Sequence, residues 1–164
     1  MADSSGPLNI LSGLNTLEFL SVHTDPVTGH RSLIANRAFR PDEVISDFYW
    51  TEVYDTPNYL TIQIGDNEHV ELIPDCLECT NHSCDPNAFF DTTGRQLLCI
   101  RPIAAGEEIT FFYPSAEWDM GRPFDCHCNQ PCCIGHIAGA RYLTEEQRAG
   151  YRFTDFIRQK LLEK

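Results

Sequence analysis

Three closely spaced cysteines, Cys126, Cys128 and Cys133, are the side chains in this sequence best suited to metal chemistry. Thiolates are favoured ligands of zinc, which takes four ligands in a tetrahedron when its role is structural. Gly135 follows the cluster and helps the backbone wrap around an ion. The spacing predicts a zinc site whose fourth ligand comes from elsewhere in the chain, with free cysteines in a buried loop as the alternative.

The remaining cysteines and one histidine are weaker candidates for that site. His127 and Cys132 are neighbours of predicted ligands, and adjacent residues of a tight loop rarely both face one ion. Cys76 and Cys79 have no obvious partner pair, so we expect them in the core or on the wall of a channel. Cys99 lies within an apolar strand and is expected in the core.

Two further segments carry polar groups in patterns that are unusual for plain packing. Residues 81–87 read NHSCDPN, and residues 106–113 read GEEITFFY. Taken alone, His82 would be a buried histidine with its hydrogen bonds made, and Tyr113 would be a half-buried strand tyrosine. The two segments matter because they precede the cysteine cluster in a fixed order.

The composition limits the class of protein and its partners. The chain has 164 residues and a formal net charge of −12, with no visible basic patch, so nucleic-acid binding is not expected. The acidity favours either plain solubility or attraction of a cationic partner. No apolar run is long enough for a transmembrane helix, and no secretory signal is visible at the start. Eight cysteines without such a signal favour a reducing compartment, the cytoplasm or the nucleus.

The elements that must position these residues are short strands separated by dense turn signals. Strands are predicted at residues 16–23, 31–38, 44–54, 59–64, 69–73, 88–91, 96–101 and 109–113. The class is therefore mainly β. In the tail, Thr144 and Gln147 form a capping-box pattern, and apolar residues recur at helical spacing beyond them, which predicts one or two helices.

The segments 81–87 and 106–113 and the run 126–135 (CHCNQPCCIG) together resemble the signature of the SET-domain methyltransferases. The resemblance extends from about residue 16 to residue 143. It implies small β-sheets, a signature loop threaded as a pseudoknot, a post-SET zinc loop and a C-terminal helix. It implies a SET domain at 16–115 and a post-SET segment at 116–143, followed by the helical tail at 144–164. The polar and small residues at 1–15 predict a flexible leader.

The same resemblance implies roles for individual residues. Cys84 becomes the fourth zinc ligand beside the three clustered cysteines. Asn81 and His82 become contacts of the cofactor S-adenosylmethionine. Tyr113 matches the tyrosine that ends the family's last block, so it becomes the catalytic residue whose hydroxyl orients the methyl-accepting amine.

The N-terminal cofactor loop departs from the family pattern. Its expected position corresponds to His30, Arg31, Ser32 and Leu33, and His30 and Ser32 stand where the family has two glycines. Glycine permits positive φ and close backbone approach, so these replacements bear on whether the loop admits the cofactor.

The resemblance implies methyl transfer from S-adenosylmethionine to nitrogen, with a lysine side chain in a basic segment of a protein as the leading acceptor. No reader domain accompanies the motifs, so action on a small molecule in secondary metabolism is an alternative. A non-catalytic SET-fold binding module is a third hypothesis, and the altered loop is its support. Neither nucleic acid nor a membrane is expected as a partner.

Overall fold

The computed structural model describes residues 18–163. The predicted leader at residues 1–15 lies outside the described part. Within that part, the strands are β1 Leu20–Thr24, β2 Arg31–Ala35, β3 Val44–Asp47, β4 Ile62–Gly65, β5 Glu68–Val70, β6 Asn81–His82, β7 Ala88–Asp91, β8 Gln96–Cys99, β9 Thr110–Phe111, β10 Phe124–Asp125 and β11 His136–Ile137. Two α-helices follow near the end, α1 Glu145–Ala149 and α2 Asp155–Leu162.

These strands form several small sheets, which confirms the predicted mainly β class. β3, β8 and β7 make a three-stranded sheet, while β1 pairs with β2, β4 with β5, β6 with β9, and β10 with β11. The pair β6–β9 is parallel, and the other four sheets are antiparallel. Because parallel strands need a crossover between them, β6 and β9 bring together segments that are distant in sequence.

The first hairpin, β1–β2, carries the predicted cofactor loop. Its turn is fixed by Asp25, whose carboxylate accepts the backbone N–H groups of Val27 and Thr28 at 2.8 and 2.7 Å. Gly29 completes the turn with φ of 72°, a conformation that suits glycine. The strand predicted at 16–23 begins only at Leu20, because Glu18 and Phe19 are helical; residues 16 and 17 lie outside the described part.

The main core lies against the three-stranded sheet. Phe90, Leu97 and Cys99 are fully buried there, as expected for Cys99. Phe48 meets Phe90 edge to face, with 5.7 Å between ring centroids. Each fully buried Leu- or Phe-sized side chain contributes about 1.5–3 kcal/mol, so this cluster supplies much of the stability of the fold.

Several strands are shorter than the sequence predicts. The strand expected at 44–54 ends at Asp47, and the chain then makes isolated bridges, from Tyr49 to Ile73 and from Tyr54 to His69. The hairpin predicted around residues 65–67 is present as β4–β5. Strand ends depend on which neighbour offers hydrogen-bond partners, and that neighbour comes from elsewhere in the chain.

The C-terminal segment packs through a second apolar cluster. Thr144 and Gln147 form the predicted capping box at the start of α1. The cluster joins buried residues of the tail, of the segment just before it and of the segment after β9: Phe112, Ala140, Leu143, Phe153 and Ile157. Tyr151 and Phe153 lie between the two helices and not within a helix, although their spacing fits one. Among residues 18–163, no helix is long and apolar enough to span a bilayer.

Candidate active site and metal centre

Four cysteine sulfurs come together near the C-terminal segment. Cys84, Cys126, Cys128 and Cys133 place their sulfur atoms within 4.8 Å of one another, and Cys84 Sγ lies 3.9 Å from both Cys126 Sγ and Cys133 Sγ. Zinc–sulfur bonds of about 2.3 Å in a tetrahedron place the sulfurs about 3.8 Å apart. The cluster therefore has the donor set and the spacing to hold a zinc ion.

The loop that carries three of these cysteines is closed by its own backbone. The Cys126 N–H donates to the Gly135 carbonyl at 2.6 Å, and the Cys133 N–H donates to the Gln130 carbonyl at 3.0 Å. Gly135 has φ of 81° and Asn129 has φ of 56°, so the chain turns back twice within the loop. The pair β10–β11 flanks this loop and fixes its two ends.

The rival ligands lie outside the sulfur cluster. His127 and Cys132 are exposed, and the Cys132 thiol donates to the Cys84 carbonyl at 3.2 Å.

Burial raises the pKa of Cys84. The pKa of Cys128 is lowered to about 7, because hydrogen bonds, including one from the Cys84 backbone, outweigh its burial. Hydrogen bonds that lower a thiol pKa favour the thiolate, which is the form that binds a metal ion.

Asn81 joins the predicted cofactor loop to the segment before β9. Its side-chain amide donates to the Arg31 carbonyl at 2.8 Å, to Ser32 Oγ at 3.3 Å and to Glu108 Oε1 at 2.8 Å. Its backbone pairs with Thr110 in the parallel ladder. Through these bonds one residue fixes β2 and the β9 segment in relation to each other.

His82 lies between the sulfur cluster and Tyr113. Its Nδ1 accepts the Tyr113 N–H at 3.1 Å, and its Nε2 lies 3.4 Å from Cys84 Sγ. Burial lowers the pKa of His82 to about 4, so the ring is neutral at physiological pH. Because Nδ1 is an acceptor, this network assigns the proton of the neutral ring to Nε2, which faces the sulfur.

Tyr113 opens a short 3₁₀ turn, Tyr113–Ser115, directly after β9. Its ring packs against Phe111, 4.8 Å away, and meets Phe124 edge to face at 5.9 Å. Its hydroxyl donates to the Thr80 carbonyl at 3.5 Å. Burial, followed by the charge of Glu108, raises the pKa of Tyr113 to about 12. The group is therefore a neutral phenol that donates a hydrogen bond.

A cavity of about 600 Å³ is lined by four of the predicted site residues, whereas Ser32, Leu33 and His82 are not among its lining residues. His30, Arg31, Asn81 and Tyr113 all line it, so the loop, the signature segment and the tyrosine open into one space. Leu33 is fully buried and packs in the core, while its carbonyl accepts the Ile109 N–H at 2.8 Å.

The replaced glycines of the loop do not require a glycine conformation in this fold. Among the described residues other than glycine, positive φ occurs at Asp42, Arg95 and Asn129, and at neither His30 nor Ser32. The side chains at these two positions are therefore compatible with the backbone that the loop adopts.

Four residues that the sequence did not single out take part in the site. Glu108 accepts from Asn81, and Phe124 packs on both His82 and Tyr113. The Tyr151 hydroxyl donates to the Cys84 carbonyl at 2.8 Å, and its ring stacks on Phe112 with 3.6 Å between centroids. Glu117 lines the cavity together with Tyr113. No local pattern assigns a role in the site to Phe124, Tyr151 or Glu117, whereas Glu108 lies within the conspicuous segment 106–113.

Comparison with known proteins identifies relatives. The SET domain family model matches residues 30–114, which is 85 of the chain's 164 residues. The methyltransferase flvH of Aspergillus flavus is 37% identical over 105 residues, 63% of this chain and 58% of that protein. A histone-lysine N-methyltransferase of Schizosaccharomyces pombe, H3 lysine-36 specific, is 41% identical over 66 residues, 36% of this chain and 8% of that protein.

The chain spans less than two thirds of the length of either relative. The family match, in contrast, covers more than half of the chain and includes both Asn81 and Tyr113. The order of the motifs, the small sheets and the clustered sulfurs agree with that match. The chain therefore belongs to the SET domain family.

Proposed function

We propose that this protein is a methyltransferase that uses S-adenosylmethionine and methylates an amine nitrogen, with a protein lysine side chain as the leading acceptor. The observation that supports the proposal most directly is the shared cavity. His30, Arg31 and Asn81 line one part of it, and Tyr113 opens into the same space. A methyl transfer needs this arrangement because donor and acceptor must meet in line within a few ångströms.

The residues that would hold the cofactor are those that the family resemblance predicts. His30, Arg31, Ser32 and Leu33 offer the loop, and Asn81 and His82 offer the signature contacts. When bound, S-adenosylmethionine supplies a methyl group on a positively charged sulfur. The bonds from Asn81 to Arg31 and Ser32 hold the loop in place before any ligand arrives, which reduces the entropy lost on binding.

Tyr113 is the residue proposed to act on the acceptor. Its phenol is neutral, so it can donate a hydrogen bond or accept one from an amine, but it does not act as a strong base. A free lysine has a pKa of about 10.4 and is mostly charged in water. The aromatic surroundings formed by Phe111, Phe124 and Tyr113 favour the neutral amine, which is the nucleophilic form.

The four cysteines are proposed to bind one structural zinc ion. Zinc at this position would fix the loop between β10 and β11. Phe124, the first residue of β10, packs on Tyr113. Zinc would also hold the Cys84 sulfur beside His82 Nε2. Metal binding would thereby stabilise the wall of the cavity, although the ion itself would take no part in the reaction.

The domain boundaries and the location of the protein are further parts of the proposal. We keep the SET domain at 16–115, the post-SET segment at 116–143 and the tail at 144–164, with the sulfur cluster joining the first two through Cys84. Among residues 18–163 none of the eight cysteines forms a disulfide, which favours a reducing compartment, the cytoplasm or the nucleus. The H3 lysine-36 relatives favour a protein acceptor, whereas the name of the flvH relative specifies no acceptor.

The test is transfer of a labelled methyl group by the intact chain. The chain would be incubated with methyl-labelled S-adenosylmethionine and either lysine-containing basic peptides or a mixture of small amines. We expect label on a peptide lysine, and we expect the cofactor to raise the melting temperature by mass action. Label on small amines alone would change the acceptor class. Absence of both label and thermal shift at millimolar cofactor would favour a binding module instead.

A further inference from the structure

Glu117 is a carboxyl group held on the wall of the cavity by a rigid frame. It follows the 3₁₀ turn of Tyr113, and its carbonyl accepts the Ala140 N–H at 2.8 Å. Its Oε1 accepts the backbone N–H of Gln63 at 3.2 Å. Gln63 is itself fixed, since its Oε1 accepts the Trp118 N–H at 2.9 Å and its amide donates to the Gly65 carbonyl at 2.9 Å.

The bond to Gln63 uses only part of the hydrogen-bonding capacity of this carboxyl. A carboxylate offers about four acceptor positions on its two oxygens. Among the ion pairs found between residues 18–163, none involves Glu117. The group thus lines a cavity with acceptor capacity left over and without a cation paired to it.

The surroundings of Glu117 disfavour its charge. Burial raises its pKa to about 8, and the bond from Gln63 opposes this shift only in part. The cavity has apolar and aromatic walls that include Ile62, Phe90 and Phe111. The other ionisable groups that line it are His30, Arg31, Tyr59, Glu78, Cys79, Tyr113 and Arg122. An uncharged carboxyl that lines a partly apolar cavity becomes charged more readily when a cation enters.

We propose that Glu117 binds the ammonium group of the methyl acceptor and takes its proton, so that this cavity selects basic primary amines over alcohols and other neutral acceptors. The inference rests on the proposed methyl transfer and deepens it, because it names the residue that binds and deprotonates the acceptor amine.

The proton moves from the ammonium nitrogen of the acceptor to the carboxylate of Glu117. The N–H bond of R–NH₃⁺ breaks, its electron pair stays on nitrogen, and the proton moves to the Glu117 carboxylate. This leaves R–NH₂ and a neutral carboxyl. Burial favours the neutral pair over the ion pair, because two desolvated charges are replaced by none. The amine lone pair is then free to attack the methyl group, and the carboxyl later loses its proton to water. A proton acceptor works best when its pKa lies near the working pH.

The test measures binding of n-butylamine to the intact chain by calorimetry between pH 6 and 9.5, with 1-butanol as the uncharged probe. In the wild type, affinity should rise about tenfold per pH unit up to pH 8 and then level off, because the Glu117 proton must leave before the ammonium binds. In Glu117→Gln, n-butylamine should bind at least about tenfold more weakly at pH 8, because the charge partner is gone. The plot of affinity against pH should then show no bend, that is, no change of slope, at pH 8. 1-Butanol should bind both proteins equally.

Glu117→Gln is a conservative change, because its amide oxygen can still accept the Gln63 N–H. Glu78→Gln is the matched control, since it removes another carboxyl from the same cavity and should leave the bend at pH 8. Three results would each overturn the assignment. The wild type and Glu117→Gln could bind n-butylamine equally, the bend could persist in Glu117→Gln, or the bend could be lost in Glu78→Gln.

Cofactor binding is measured separately, by thermal shift, on the wild type and on Glu117→Gln. Both should respond equally, because Glu117 acts on the acceptor. Loss of the response in both proteins would sink the proposed methyl transfer, whereas the calorimetry would still decide whether Glu117 binds amines. The two failures are therefore distinguishable.

Discussion

Replacing Tyr113 with phenylalanine removes one hydroxyl and keeps the ring. The ring contacts with Phe111 and His82, at 4.8 and 5.2 Å between centroids, remain. The hydroxyl bond to the Thr80 carbonyl is 3.5 Å long, at the outer limit for a hydrogen bond. Because a well-formed neutral bond contributes about 1 kcal/mol, this long one should contribute less, and the melting temperature should change little.

The effect on turnover should be much larger. If the hydroxyl orients the acceptor amine, its loss should slow methyl transfer about 10- to 1000-fold, which corresponds to about 1.4–4 kcal/mol of transition-state stabilisation. Both quantities are measured on one preparation, as melting temperature and as labelled methyl transferred per folded molecule. Tyr54→Phe is the matched control, since it loses a hydroxyl bond to Glu52 of 2.9 Å at the surface. Normal turnover in Tyr113→Phe would refute the catalytic role.

Three further perturbations test other parts of the site. Cys128→Ser should lose most bound zinc, measured by elemental analysis, whereas Cys132→Ser should keep it because its sulfur lies outside the cluster; full zinc in Cys128→Ser would contradict the ligand assignment. Tyr151→Phe should lower the free energy of urea unfolding by about 1 kcal/mol, since only its bond to the Cys84 carbonyl is lost; no change would show that this bond is energetically neutral. Glu117 has a pKa of about 8 in the fold and about 4.3 unfolded, so the native chain binds more protons between these values and its stability should fall as pH rises through that window. In Glu117→Gln that part of the pH dependence should vanish. If the melting temperature of Glu117→Gln varied with pH between 5 and 9 as that of the wild type does, the raised pKa of Glu117 would be contradicted.

The sequence by itself determined those features that depend on neighbouring residues. The spacing of Cys126, Cys128 and Cys133 predicted a cluster, and their sulfurs are together. The capping box of Thr144 and Gln147 is formed, because its bonds close within one helical turn. The mainly β class followed from short apolar runs between turns, which need no knowledge of which strand pairs with which.

Only the tertiary structure decided the contacts between distant segments. The Asn81 side chain donates a hydrogen bond to the Arg31 carbonyl, although the two residues are fifty positions apart in sequence. The Glu117 carboxyl is held on the wall of the cavity by a hydrogen bond from Gln63, which is fifty-four positions away. Strand ends likewise moved, since the segment after Asp47 leaves its sheet to bridge other parts of the chain. Such contacts depend on the path of the whole backbone, and the pattern of neighbouring residues does not determine that path. The raised pKa of Glu117 is therefore visible only once the fold has surrounded its half-buried carboxyl, because the surroundings and not the residue type cause the shift.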